Sequence, residues 1–187
     1  FGQNVQKGNL CTASLPPRPC RPTSAPDEKN NSMPSSPVSF PSAAPRPVRW
    51  HISDIDYTQI DIPRIRHNGD LFYLVTSASF IETGSDMYTR NLVRHYSAYP
   101  EVAEWLQQRW EPEELQHGLA LRTYVETVWP EFDWQTAFAA FFAEYGALCT
   151  DEELEDDRTL ELVARCVVET GTTTYYETLR NLATEPV

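Results

Sequence analysis

Ten of the 15 prolines in this 187-residue chain fall within its first 47 residues, and that partition decides which part can fold. Proline fixes φ and brings no amide donor, so Pro16-Pro17-Arg18-Pro19 and the Ser/Pro/Ala run from Ser32 to Pro47 support neither helix nor sheet. Such composition cannot bury enough apolar surface to offset the entropy of ordering the chain. Residues 1–47 are therefore predicted to be a disordered tail, and folding is left to the remaining 140. That length suffices for one domain with a core of its own.

Charge divides at the same place. The tail holds five basic and two acidic residues, a balance of +3, while the body holds ten basic and 25 acidic, a balance of −15. An acidic body argues against nucleic acid and against anionic membrane surfaces, since both demand a basic footprint. It suits a soluble protein, or one that gathers cations. There is no run of 18 apolar residues and no apolar signal core near Phe1, so the expectation is a cytoplasmic chain with no membrane partner. Cys11, Cys20, Cys149 and Cys166 form no Cys-x-x-Cys pair and give no disulfide scaffold; Cys166 reads as buried and inert. The opening on Phe1, with Met33 as an internal candidate start, and the helix-stop residues Thr184 to Val187 read as a fragment.

Residues 48–69 carry Ile52, Ile55, Tyr57, Ile60, Ile62 and Ile65 at irregular short intervals, interrupted by Pro63 and three aspartates, which predicts an extended arm lying on the body. From there the pattern is helical. Asn68-Gly69-Asp70 is a turn and cap, and Leu71 to Ser97 places Leu71, Leu74, Val75, Ala78, Ile81, Ser85 and Leu92 on one stripe. A second helix restarts at Pro100 and runs to about Val128, with Pro112 forcing a kink or fresh start. A third, capped by Asp133, covers Trp134 to Cys149, and a fourth runs from about Leu160 to Ala183. Strand alternation is scarce, so the body, residues 70–187, is predicted all-α. The Trp129 to Trp134 aromatics read as a staple closing the helices.

Within the second helix, Glu114 and His117 stand three residues apart, about 60° from one another around the axis, and so share a face. Carboxylate and imidazole at that spacing read either as a metal-ligand pair or as a solvated pair on a surface helix. Glu82 lies on the stripe of the first helix and points to the core, where a bare carboxylate costs several kcal/mol, on the order of the effective penalty for a desolvated ion. Glu169 lies in the last helix with Leu162, Cys166, Thr173 and Tyr176 on its expected inner face. The alternative is that both glutamates are turned to solvent. If both face inward, Glu82, Glu114, His117 and Glu169 give three helices that each offer hard donors, a set suited to iron or manganese.

The run Trp110-Glu111-Pro112-Glu113-Glu114-Leu115-Gln116-His117-Gly118 resembles the second core helix of the soluble acyl-acyl-carrier-protein desaturases, within the ferritin-like di-iron carboxylate superfamily. Glu82 and Glu169 resemble the single glutamates of its first and third core helices. Thr172 stands where that family keeps a threonine near the oxygen site. The resemblance covers Leu71 to Ala183. It implies a ferritin-like four-helix bundle and two iron ions, with manganese as an option, held by Glu82, Glu114, His117 and Glu169. It also implies oxygen assistance from Thr172, an external electron donor such as a ferredoxin, a fatty acyl or similar substrate, and an acyl carrier protein as partner. A narrow channel lined by residues such as Phe138, Phe141 and Phe142 belongs to the same expectation.

Two departures accompany it. Sites of this kind use about six donors, including a second Glu-x-x-His on a fourth core helix, and only four are present, so the bundle reads as truncated. His51, His67 and His95 are read as surface or capping residues. Arg90, Arg94 and Arg109 serve equally as a docking spot for an acidic carrier or as solvated helix charges, and the net charge of −15 opposes such docking. No nucleophile elbow or phosphate loop occurs. The competing readings are a metal-binding or interaction module without substrate oxidation, and an inactive fragment whose uncovered apolar seam makes a homodimer.

Overall fold

The computed structural model describes residues 50–183 and 187; the tail expected over 1–47 lies outside them, as do residues 48 and 49. Among the described residues there are helices and turns but no strand, which bears out the all-α expectation. None of these helices is long and apolar enough to cross a membrane.

The arm differs from its prediction. Ile52–Asp54 and Tyr57–Gln59 are single 3-10 turns, and α1 is one α-turn, Ile62–Ile65. The apolar spacing of two and three residues that seemed irregular is what consecutive tight turns need to keep one side against the body. Ile60 and Ile65 are buried there, and the Tyr57 hydroxyl donates to the Ala120 carbonyl at 3.0 Å.

Asn68 starts α2, Gly69–Thr83, by accepting from the Leu71 amide at 3.0 Å. The expected continuation to Ser97 breaks at Gly84, and α3, Ser85–His95, follows at once. A Cβ on Gly84 would lie 3.0 Å from the Phe142 ring, so the missing side chain gives the aromatic helix that carries Phe142 room to approach. Next come α4, Pro100–Trp105, a π-helical stretch, Leu106–Trp110, and α5, Glu111–Val128. Pro112 has no amide to give and its ring crowds the carbonyl four residues back, and the helix widens just ahead of it. The kink predicted at Pro112 thus takes the form of π-widening over the preceding turn.

Asp133 caps α6, Trp134–Tyr145, which ends four residues short of Cys149. Asp157 caps α7, Arg158–Leu182.

The main pairing is α2 against α5. The two run antiparallel, since Phe72 packs on Trp129 at one end and Thr83 meets Gly118 at the other. Leu71, Val75, Phe80, Val125, Val128, Trp129 and Trp134 form the core between them, so the tryptophan staple is present. Leu92, Tyr96 and Leu106 make a second cluster between α3 and the π stretch.

Two sequence expectations fail on the helix faces. Ile81, assigned to the α2 stripe, is 49% exposed. On α7 the expected inner residues Leu162, Cys166, Glu169 and Thr173 are exposed, Cys166 included, and the helix is held instead through Tyr175, Tyr176 and Leu179. Periodicity identifies which residues share a face, but α7 meets the main core cluster only through its C-terminal half, and near its start Glu161 alone is buried. Its N-terminal half leaves Leu160, Leu162, Val163, Val167 and Val168 open.

Candidate metal centre

The crossing of α2 and α5 sets the geometry. Gly118 follows His117, and a Cβ there would stand 2.7 Å from the Thr83 nitrogen and 2.9 Å from the Glu82 carbonyl carbon. Backbone cannot yield as a flexible side chain can, so glycine is what lets the two helices touch beside Glu82. The contact brings three predicted donors together. One donor atom from each of Glu82, Glu114 and His117 lies within 4.8 Å of the others. Glu82 is buried, as its stripe required, and the other two are half-buried.

The protons follow from burial and proximity. Burial, together with a hydrogen bond to Glu114, pushes the Glu82 carboxyl up to about 8, against the pull of Tyr176 and His117. Burial also acts to raise Glu114, but hydrogen bonds from His117 and Glu82 outweigh it and leave that carboxyl below its ordinary value. The pair thus shares one proton, kept on Glu82, as two close carboxylates must when they cannot both ionise. His117 is raised, chiefly by its bond to Glu114, whose Oε2 is 3.4 Å from Nδ1. Tyr176 on α7 donates its hydroxyl to Glu82 Oε1 in a short hydrogen bond, and burial pushes that phenol far up.

The other two predicted residues stand apart from this group. Glu169 does not join the three at ligand distance. It is exposed as a residue, although burial of its carboxyl and the charge of Glu114 raise its pKa, so it is felt electrostatically from the cluster. Thr172 turns its hydroxyl onto its own helix, donating to the Val168 carbonyl at 3.1 Å. His51 caps the first 3-10 turn by accepting from the Ser53 amide, and His67 is exposed, in keeping with the surface and capping roles expected of them. Phe138 and Phe141, expected beside a channel, pack on Phe80, and Phe142 packs on Phe138.

Sequence reasoning missed three neighbours. Trp50 stacks on His117 with ring centroids 5.6 Å apart and planes 8° from parallel. Gln116 holds the backbone around Trp50. Tyr145 feels the Glu82 charge and is pushed up to about 12, mainly by burial. Tyr176 had been placed on the Glu169 stripe, but neither Trp50 nor Gln116 had any local signal, because their pairing joins residues 64 to 66 positions apart.

Two carboxylates and an imidazole, one buried and two half-buried, meet at one helix crossing and form a group that could hold a divalent first-row metal, whose charge would replace the proton on Glu82. No protein-family model, curated protein or solved structure matches the chain. Fold and site define it as an all-helical protein with a Glu-Glu-His group that could hold a metal ion.

Proposed function

We propose that this chain is an all-α, ferritin-like bundle carrying the larger part of a di-iron carboxylate site, a dioxygen-dependent oxidoreductase acting on an apolar, acyl-like substrate. The observation that carries the reading is the convergence of Glu82, Glu114 and His117 at the point where glycine lets α2 and α5 meet. The residues fit the group: two carboxylates and an imidazole from two helices, one of them a carboxyl that keeps a proton because burial and Glu114 raise it. Glu82, Glu114 and His117 would hold iron, with manganese an option for the same donors, and Glu169 would extend the set from α7.

Bound iron would supply the redox chemistry that dioxygen needs. The chain's own residues orient the site. Tyr176 fixes the Glu82 carboxylate by holding its proton at the phenol oxygen, and its raised pKa keeps it a donor across the working pH range. A cavity of about 350 Å³ lies among the arm, α2, α5 and α7, with walls that include Leu71, Val75, Leu121, Tyr124 and Tyr176. Because Tyr176 borders both the cavity and Glu82, an apolar ligand there would sit one side chain from the cluster. Electrons would come from a separate donor such as a ferredoxin. Arg90 and Arg94 are already paired with Asp86 and Asp151, so they present less positive charge to an acyl carrier protein than their number suggests.

The test is anaerobic loading with ferrous iron followed by oxygen uptake. Binding that falls at least tenfold in Glu114→Ala and His117→Ala, with oxygen consumed by the loaded chain, is the expected result. Equal binding by the parent and both variants would overturn the reading. Thr172 bonded to its own helix and Glu169 outside the cluster favour a second reading, a metal-binding module that oxidises no organic substrate. That reading gains if metal binds but apolar carboxylates such as laurate fail to raise the unfolding temperature, as mass action requires of a ligand.

A further inference from the structure

We propose that the segment Trp50–Ile55 is a cover latched over the His117 side of the Glu82–Glu114–His117 cluster, and that Gln116 is the positioning residue that latches it. The proposal rests on the metal-centre reading for its purpose but not for its geometry. The side-chain amide of Gln116 sets a donor nitrogen and an acceptor oxygen in one plane, and each atom makes one bond to the arm. Its Nε2 donates to the Trp50 carbonyl at 3.1 Å, and its Oε1 accepts from the Ile52 amide at 3.3 Å. Those two backbone groups are what an extended segment would offer a neighbouring strand, so Gln116 acts as a one-residue substitute for one.

Gln116 and His117 are consecutive on α5, so a segment gripped by the first is carried across the second. The Trp50 indole consequently lies flat on the imidazole, nearly parallel to it.

The segment is stiff within itself. His51 and Asp54 cap the Ile52–Asp54 turn reciprocally, the Asp54 carboxylate accepting from the His51 amide at 2.8 Å. Its far end is anchored separately, where the Tyr57 hydroxyl meets the Ala120 carbonyl, one helical turn beyond Gln116. A rigid turn between two anchors four residues apart on α5 moves as a unit: freeing the Gln116 end swings Trp50 off His117 while the Tyr57 end stays. Two neutral hydrogen bonds, the longer at 3.3 Å, are a weak latch, and regions held this way open ahead of the core. With the cover closed the His117 side chain keeps 33% of its surface exposed. Opening would uncover the stacked face as well.

The experiment compares the whole chain with Gln116→Ala and with Gln116→Glu, which keeps the shape but loses the donor to the Trp50 carbonyl. Metal-free protein is followed by amide exchange over residues 50–56 and by diethylpyrocarbonate modification of His117, with His67 as internal standard. Cobalt-loaded protein is then stripped with excess EDTA. The expected result is exchange at least tenfold faster in both variants, His117 modification about threefold faster relative to His67, and faster cobalt loss, with the unfolding temperature held. Unchanged exchange would overturn the latch; faster exchange with unchanged His117 modification would overturn the cover. If neither parent nor variant binds cobalt while His117 modification still rises, the metal reading falls and the cover stands.

Discussion

Gly118 is where one atom decides whether a site exists. Alanine there would gain helix propensity, about 1 kcal/mol, but place a Cβ 2.7 Å from the Thr83 nitrogen, an overpacking cost of about 1–3 kcal/mol. Gly118→Ala is thus expected to lower the unfolding temperature slightly and to weaken metal binding at least tenfold by prising Glu82 from Glu114. Calorimetry with a cobalt titration checks both, and unchanged affinity would show that the crossing does not set the donor distances. The same cluster gives a pH dependence. Glu82 holds its proton to about pH 8 in the folded protein against 4.5 when free, so the folded state binds more protons and loses stability as pH rises between those values. His117 adds to this, since its stabilisation is complete below 6.5 and is lost as pH rises through its raised folded value. Glu114 works oppositely, its contribution present above 4.5 and lost as pH falls through its lowered value. Metal-free protein should therefore lose about 2–4 kcal/mol from pH 5 to pH 9, and Glu82→Gln should flatten most of that slope in urea titrations. Metal affinity should climb over the same range, because binding displaces these protons. Glu114 and His117 were legible in the sequence because spacing alone puts them on one face, and Glu82 because a charge on an apolar stripe stands out. Trp50 and Gln116 were not, since their contact is non-local.

The N-terminal half of α7 is held around one buried acid. Glu161, 1% exposed, accepts from the Glu155 amide through Oε2 and stands 2.8 Å from Arg165 through Oε1, while the Arg165 guanidinium covers the Tyr88 ring at 4.8 Å. The Tyr96 hydroxyl donates to the Arg158 carbonyl and the Arg158 Nε to the His95 carbonyl, which ties α7 to the end of α3. Removing the carboxylate leaves a half-buried guanidinium without its partner, which should cost about 2–3 kcal/mol. In Glu161→Ala the loss should appear first as faster amide exchange over residues 150–168, with the Leu179 region protected until global unfolding. Uniform acceleration along α7 would mean that the helix is a single cooperative unit. The sequence presented Glu161 as one more acid beside an acidic loop, and nothing local distinguishes it from Glu152 or Glu153, which are exposed. Only the approach of α3 makes it a core residue.

Over the whole molecule, the open residues Leu160, Val163, Val167 and Val168 on one side of α7, with Leu162 on the other, bear on solution behaviour. Exposed apolar surface of this kind favours self-association, while the net charge of −15 over the last 140 residues opposes it at low salt. Light scattering should show a mass that grows with concentration and salt, and Leu162→Lys with Val167→Lys should return the chain to a monomer. A monomer under all conditions would show that these residues are tolerated as bare surface. What the sequence determined unaided was the helical body, most of the helix ends and the donors Glu82, Glu114 and His117, because caps, prolines and the 3.6-residue period act within a few residues of one another. What only the tertiary structure decided was which apolar stripes find a partner: it turned the arm into tight turns under Trp50 and left half of α7 uncovered. Periodicity fixes where a side chain points on its own helix, whereas burial depends on whether another element arrives there.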